Sequence, residues 1–363
     1  MHRHSLFNRL LLDKFMPEVS IIIATHNNEK TIGKSIKSAQ NQTVRDIEIV
    51  VVDDGSTDGT YDLIAAMAAS DARIKCVRQR QNIGPGGARN AALANATGEW
   101  IAILDADDWY DPTRLEVLLK AAQDYKADLV ADNLKIYDHV RQQIILQTNY
   151  GKKNQVAPLT AKTFFDVDNP LQRHPMGFIK PLIRRKFLAE HKIVYDQAHR
   201  VGEDFLFVGE ILLQGARAFV VPGAYYIYVN AISSTTRKKS PHSHSNVAST
   251  FSFIVRGCNE LLQKYGATMS SEEHHALLRR RWLFERAVMY KDMRAALDQG
   301  QFFKATRICI TQPVVLLIIG NVIIGLLAAN ARRLRLASIR MRIARPVEAG
   351  RRHIATSPPK KSG

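Results

Sequence analysis

Trp100-Ile-Ala-Ile-Leu-Asp-Ala-Asp-Asp-Trp-Tyr110 is the most informative stretch of the chain. Five apolar residues, Trp100 to Leu104, read as a strand, and Asp105, Asp107 and Asp108 crowd its C-terminal end. Carboxylates packed this closely repel one another unless a cation sits among them. Oxygen donors suit a hard divalent ion, magnesium or manganese, which would in turn hold a diphosphate. A second reading of the same residues is a solvated acidic turn before a helix capped near Asp111, with Pro112 at its first position. This stretch alone leaves both readings open, and the residues upstream decide between them.

Upstream, strands and helices alternate. Val19 to Ala24, Ile47 to Val52 and Ile74 to Val77 are apolar strand candidates. The patterning predicts helices over Thr31 to Gln42, Thr57 to Ala69 (capped by Ser56 or Thr57), Pro85 to Ala96 and Pro112 to Asp124. Continuous apolar strands alternating with helices predict an α/β fold with a mainly parallel sheet covered on both faces. Such sheets bind ligands beyond their strand C-termini. From about Leu129 the alternation breaks down. A hairpin is expected over Lys135 to Gln147, with strands at Phe178 to Ile183 and Phe219 to Val221. Helices are expected over Val247 to Tyr265, Ser271 to Leu297 and Phe302 to Cys309.

Four polar clusters follow the four strands: Thr25-His26-Asn27-Asn28, Asp53-Asp54-Gly55-Ser56-Thr57-Asp58, Asn82 to Asn90 with its glycines and Arg89, and the aspartate run. Asp53 or Asp54 can accept from a base or ribose, and Arg89 can pair with base or phosphate. Turn and cap roles account for each cluster singly, but not for all four on one sheet edge. A fifth cluster, Gly202-Glu203-Asp204-Phe-Leu-Phe207, precedes an apolar helix. Its carboxylates fit helix capping, and in this context one of them fits a general base.

Five segments together resemble glycosyltransferase family 2: Pro17-x-Val-Ser-Ile-Ile-Ile-Ala-Thr-x-Asn27, Val-Asp-Asp-Gly-Ser-Thr-Asp58, Asn82-x-Gly-x-x-x-Ala-Arg-Asn90, Leu-Asp-Ala-Asp-Asp108 and Gly-Glu-Asp-x-x-Phe207. Each is weak alone, and their order carries the likeness, which runs from about Pro17 to Tyr228. The resemblance implies a GT-A (Rossmann-like) fold and inverting transfer from a nucleotide sugar. It implies nucleotide binding by Thr25, Asn27, Asp53, Asp54, Arg89 and Asp105. It implies a divalent cation, Mg2+ or Mn2+, at Asp105 and Asp107, and Asp204 as catalytic base supported by Glu203. The metal would neutralise the departing diphosphate while Asp204 takes the proton of the acceptor hydroxyl. An α-linked donor would give a β-glycoside. Where the family often has an aromatic-Arg motif, Val229 stands; Arg237 or its lysine neighbours could reach the diphosphate, and a strand followed by a basic solvated loop accounts for the same residues.

The 363 residues are 46% apolar and 23% charged, an ordinary globular composition. Cys76, Cys258 and Cys309 show no metal or disulfide spacing, as expected in a reducing compartment. Met1 to Phe15 lacks the apolar core of a signal peptide. Net charge is +17, and Arg332 to Gly363 carry eight Arg, two Lys and one Glu, a net +9. No aromatic residues interleave these cations, and they directly follow the apolar run Val314 to Ala331, which favours anionic lipid over nucleic acid. That run is near the ~17–25 residues of a spanning helix. A single span would strand the basic tail on the far side from the nucleotide-sugar pool, so a re-entrant or in-plane segment is expected. A buried helix is the soluble alternative.

The expected layout is an N-terminal extension (1–16), a GT-A catalytic domain (17–242), a helical region (243–311), a membrane-associated segment (312–331) and a basic disordered tail (332–363). The resemblance is nearest to succinoglycan-type chain-extending transferases. It implies transfer of a sugar, glucose from UDP-glucose, to a lipid-linked oligosaccharide in exopolysaccharide assembly, at the cytoplasmic face of the inner membrane. The rivals are a transferase for lipopolysaccharide or another surface glycan and a non-catalytic nucleotide-binding relative. A polymer-exporting synthase would need several spans.

Overall fold

Val19–Thr25 (β1) and Ile47–Asp53 (β2) are parallel neighbours, in register from Val19↔Ile47 to Thr25↔Asp53. Ile74–Arg78 (β3) flanks β2 and Trp100–Ile103 (β4) flanks β1, both parallel. Every residue of β2 and β4 is buried. Successive strand side chains point to opposite faces, so both faces of this part of the sheet are covered. These strands belong to a computed structural model that describes residues 16–151, 154–167, 176–230 and 247–303.

The helices between them are Ile32–Gln40 (α1), Thr60–Ser70 (α2), Gly84–Asn95 (α3) and Arg114–Asp124 (α4). α2 starts three residues later than the sequence pattern suggests. Asp58, not Ser56 or Thr57, accepts the Thr60 N–H at 3.1 Å, because Ser56 Oγ is taken by the Asn27 N–H at 2.9 Å. α4 likewise starts after Pro112, with Asp111 Oδ1 accepting from the Thr113 N–H and hydroxyl at 3.3 and 3.0 Å.

The sheet continues as β3-β2-β1-β4-β9-β6-β10-β5, where β5 is Trp109–Tyr110, β6 Leu129–Asp138, β9 Leu182–Arg184 and β10 Ala218–Asn230. β9 is antiparallel to both β4 and β6, β10 is parallel to β6, and β5 is antiparallel to β10. The sheet is therefore mixed beyond its first four strands. Gln143–Gln147 (β7) closes the expected hairpin on β6, pairing Lys135 with Gln147, and Ala157–Pro158 (β8) pairs with β10. The strand expected over 178–183 is displaced: Met176–Phe178 is a 3-10 turn and β9 starts only at Leu182. Pro181 has no N–H for a ladder, and Lys180 turns into the interior. β10 is far longer than the three residues expected, with register shifts between Val220 and Tyr226.

Ala161–Val167 (α5), Arg185–Glu190 (α6), Glu203–Leu213 (α7), Val247–Tyr265 (α8) and Ser271–Asp298 (α9) complete the elements. One apolar core runs from the sheet into α8 and α9 through Cys258, Leu261, Tyr265, Ala276 and Leu277. The chain divides into two compact units, 1–291 and 292–363. Among the described residues no helix is long and apolar enough to cross a membrane. The N-terminal extension, Arg237 to Lys239, the apolar segment 312–331, the tail 332–363 and most of the helix expected at 302–309 lie outside the described residues.

Candidate active site

Two adjoining groups of side chains sit beyond the C-terminal ends of β1, β2 and β4. The first surrounds the ends of β1 and β2. Asn27 takes a positive φ of 54° as the chain leaves β1, and its Oδ1 accepts the Thr57 N–H at 2.8 Å. Thr25 is buried and its hydroxyl accepts from Asn28 Nδ2 at 3.1 Å. Asp54 caps the start of α3: its two oxygens accept the N–H groups of Ile83 and Gly84 at 2.8 and 3.0 Å. Asp53 is fully buried, with Oδ2 3.6 Å from Arg78 Nε and Oδ1 without a hydrogen-bond partner among the described residues. A buried carboxylate oxygen left unpaired is costly, so it calls for a donor from a ligand. An open cleft lined by Arg78, Gln79, Arg80, Gln81 and Ile83 runs beside it.

The second group joins residues from five segments: α3, α7 and the loops that carry Asp105, Lys180 and Tyr195. Arg89 projects from α3 and is almost wholly buried. It donates to Asp105 Oδ1 at 2.8 Å and to Glu203 Oε1 at 2.7 Å, and lies 3.8 Å from Asp204 Oδ1. Lys180, only 3% exposed, sits between Asp105 Oδ2 at 2.8 Å and Asp204 Oδ2 at 2.5 Å. The Tyr195 hydroxyl donates to Asp204 Oδ1 at 3.3 Å. Asp105, Arg89, Glu203 and Asp204, singled out from three distant segments, thus form one charge cluster.

Burial alone would raise the Asp105 carboxyl, but the Lys180 ammonium and Arg89 guanidinium outweigh it and hold it below the usual carboxylate range. Burial would lower Lys180 and Arg89; the facing carboxylates instead raise both. Asp108 goes the other way. Burial, then the nearby Asp107 and Asp105 charges, push it well above the usual range. Its oxygens meet the Tyr226 hydroxyl at 2.8 Å and the Val229 N–H at 2.7 Å, so it ties the aspartate run to β10. Asp107 is only partly buried.

The scaffold explains this convergence. Glu203 and Asp204 open α7, where the helix dipole favours negative charge. Gly202 enters at φ 81°, a left-handed backbone that suits glycine. The loop before it is pinned to α3: Asn90 and Tyr195 exchange two 2.8 Å hydrogen bonds. A Cβ on Gly86 would lie 2.8 Å from the Asp196 carbonyl oxygen, so only glycine allows this approach. His199 Nε2, 2.6 Å from Glu260 Oε2, ties the loop to α8. Lys180 is set by a buried relay in which Arg114 pairs with Asp132 at 2.8 Å and donates to the Lys180 carbonyl.

Sequence reasoning missed Lys180, Tyr195 and the Arg114–Asp132 pair. The signal for Lys180 was present: a lone cation in Phe178-Ile-Lys-Pro-Leu-Ile183 must find a carboxylate if that run is buried.

A hard divalent ion needs carboxylate oxygens that remain open to it. Both Asp105 oxygens already accept from cations, whereas Asp107 is partly exposed two residues away. Magnesium commonly binds through one or two carboxylates and substrate phosphates. Asp107, with a share of Asp105, fits that need.

The Glycosyl transferase family 2 profile matches residues 20–190. Succinoglycan biosynthesis protein ExoO of Rhizobium meliloti (strain 1021) is 35% identical over 248 residues, 68% of this chain and 70% of that protein. The UDP-Glc:alpha-D-GlcNAc-diphosphoundecaprenol beta-1,3-glucosyltransferase WfaP of Escherichia coli is 45% identical over 100 residues, 28% of this chain and 39% of that one. Among solved structures, S. aureus TarS 1-349 in complex with UDP superposes with a TM-score of 0.53 and 24% identity, covering 71% of this chain and 68% of that one. At that identity the likeness concerns the fold.

Proposed function

The chain belongs to glycosyltransferase family 2, and from that premise we propose that it transfers glucose from UDP-glucose, with inversion, to a lipid-linked oligosaccharide in exopolysaccharide assembly at the cytoplasmic membrane face. The observation that carries the reaction is the Lys180 bridge, which holds a donor-side carboxylate, Asp105, and a candidate base, Asp204, on one ammonium group. The relatives' names, succinoglycan biosynthesis and UDP-Glc transfer to a diphosphoundecaprenol-linked sugar, support the donor and acceptor classes.

In this reading the nucleoside lies at Thr25, Asn27 and Asp53, whose unpaired Oδ1 accepts from the base. Asp54 serves the same pocket by fixing the start of α3 through its two backbone bonds. The diphosphate runs toward the aspartate run. Asp107 and Asp105 would hold a magnesium or manganese ion, which supplies Lewis-acid stabilisation of the leaving diphosphate. Asp204 removes the acceptor hydroxyl's proton as that oxygen attacks the anomeric carbon opposite the leaving group. Lys180 and Tyr195 aim the Asp204 carboxylate, and Arg89 and Glu203 lock it against α3. The β-glycoside and UDP leave as products.

The test is calorimetric titration of UDP, GDP and dTDP with and without manganese. The reading expects manganese-dependent binding of UDP alone. Binding of GDP or dTDP instead would reassign the donor, and binding of no nucleotide would favour a non-catalytic relative.

A further inference from the structure

Asp105 Oδ1 lies 2.8 Å from Arg89 Nη2, and Asp105 Oδ2 lies 2.8 Å from Lys180 Nζ. Both oxygens are engaged, yet Asp105 is also the residue that would share an ion with Asp107. One of the two cations has to give way for that. Arg89 is the fixed one. Its planar guanidinium is forked between Asp105 and Glu203 Oε1, 2.7 Å away, and neither contact can lengthen without disturbing the other. Lys180 is an ammonium on a flexible four-carbon stem. It has a second partner, Asp204 Oδ2 at 2.5 Å, which is its shorter contact.

Exposure separates the same groups. The Asp105 side chain is 22% exposed, that of Asp204 13% and that of Lys180 3%. Asp107, partly exposed, lies two residues from Asp105. The most open of the two bridged carboxylates is therefore the one beside Asp107 in the chain, and the ammonium is the deepest group. Two cations on one carboxylate oxygen repel at short range. Lys180 can relieve that repulsion by turning to Asp204 without leaving the cluster.

We infer that Lys180 is a displaceable bridge: it competes with a divalent cation for Asp105 Oδ2 and passes to Asp204 alone when that cation binds. The inference rests on the metal reading proposed above. It gives Lys180 a task beyond aiming Asp204, because the place of the ammonium beside the candidate base then depends on ion loading at the aspartate run. Linkage makes the competition reciprocal, so removing the ammonium strengthens ion binding.

The test is Mn2+ binding to the full chain, followed by the electron paramagnetic resonance signal of free Mn2+, without nucleotide and with saturating UDP. Without UDP, Lys180→Met is expected to bind Mn2+ about tenfold more tightly than the parent. Lys180→Arg, which keeps the charge, is expected to stay within about threefold of the parent. Lys34→Met controls for loss of charge alone: Lys34 Nζ sits 2.9 Å from the centre of the Trp109 ring, two residues along from Asp107, and has no ion pair among the described residues. It is expected to change Mn2+ affinity by less than about threefold. A gain in affinity also separates the inference from a structural role, because a damaged site binds the ion more weakly. Unchanged or weaker Mn2+ binding by Lys180→Met, beside a parent that binds Mn2+ with UDP, overturns the inference and leaves the metal reading standing. An equal gain in Lys34→Met overturns it in favour of a general charge effect. No Mn2+ binding by any of these chains, even with UDP, sinks the metal reading and the inference with it.

Discussion

Lys180 is the residue on which the site turns. It is buried between two carboxylates, 2.8 Å from Asp105 and 2.5 Å from Asp204, which Arg89 also approaches from the other side. Lys180→Met leaves Asp105 and Asp204 with Arg89 as their one remaining shared cation among the described residues. We expect transfer to fall about 10²–10³-fold while UDP affinity changes by less than tenfold, measured by steady-state kinetics and calorimetry. Lys180→Arg should recover part of the rate, since it keeps the charge and alters the reach. Asp107→Ala should weaken UDP binding only when manganese is present; an unchanged metal dependence would remove Asp107 as a ligand. At this scale the sequence was informative wherever a charged residue lay in an ordered segment: Asp105 stands in a strand-end run, and Arg89 and Asp204 in the runs that open α3 and α7. It marked Lys180 as a lone cation in an apolar run but named no partner for it or for Tyr195, because those partners are set by tertiary contacts 24 and 9 residues away.

Elements hold the site through buried polar ties as well as through apolar strands. Glu48 in β2 accepts from Ser20 Oγ and the Thr97 N–H at 2.5 and 2.6 Å and pairs with Lys75 at 2.5 Å, joining β1, β2, β3 and the entry to β4. Burial would raise its carboxyl; Lys75, Ser20 and Thr97 outweigh burial and depress it below the usual 4.5. A depressed folded value contributes stability that is full above the unfolded value and is lost as pH falls through the folded one. Glu48→Gln should therefore cost about 1–3 kcal/mol at pH 7 and flatten the loss of stability below pH 4.5 in urea titrations. Arg114→Ala would strand Asp132 in the interior and release the Lys180 backbone, at about 3–5 kcal/mol. The first four strands were legible because each is a continuous apolar run. The antiparallel insertion of β9 and the length of β10 were not: three residues give β9 no period to read, and two register shifts break the pattern of β10.

The whole molecule carries +17, and over half of that excess lies in residues 332–363. Each basic residue near an anionic surface contributes about 1 kcal/mol at low ionic strength. Removing 332–363 should weaken attachment to anionic vesicles at least tenfold at low salt, narrow the difference at high salt, and leave UDP affinity unchanged in a sedimentation assay run beside calorimetry. The central claim concerns the Lys180-bridged cluster, in which Asp204 is the base and the nucleotide is held elsewhere. Asp204→Asn keeps the size of the side chain and removes its basicity. The direct measurement is single-turnover transfer from UDP-glucose alongside UDP affinity for this variant. The account predicts a rate at least about 10³-fold lower with UDP affinity within about threefold of the parent. Near-parental transfer, or an equal loss of binding and rate, would contradict it.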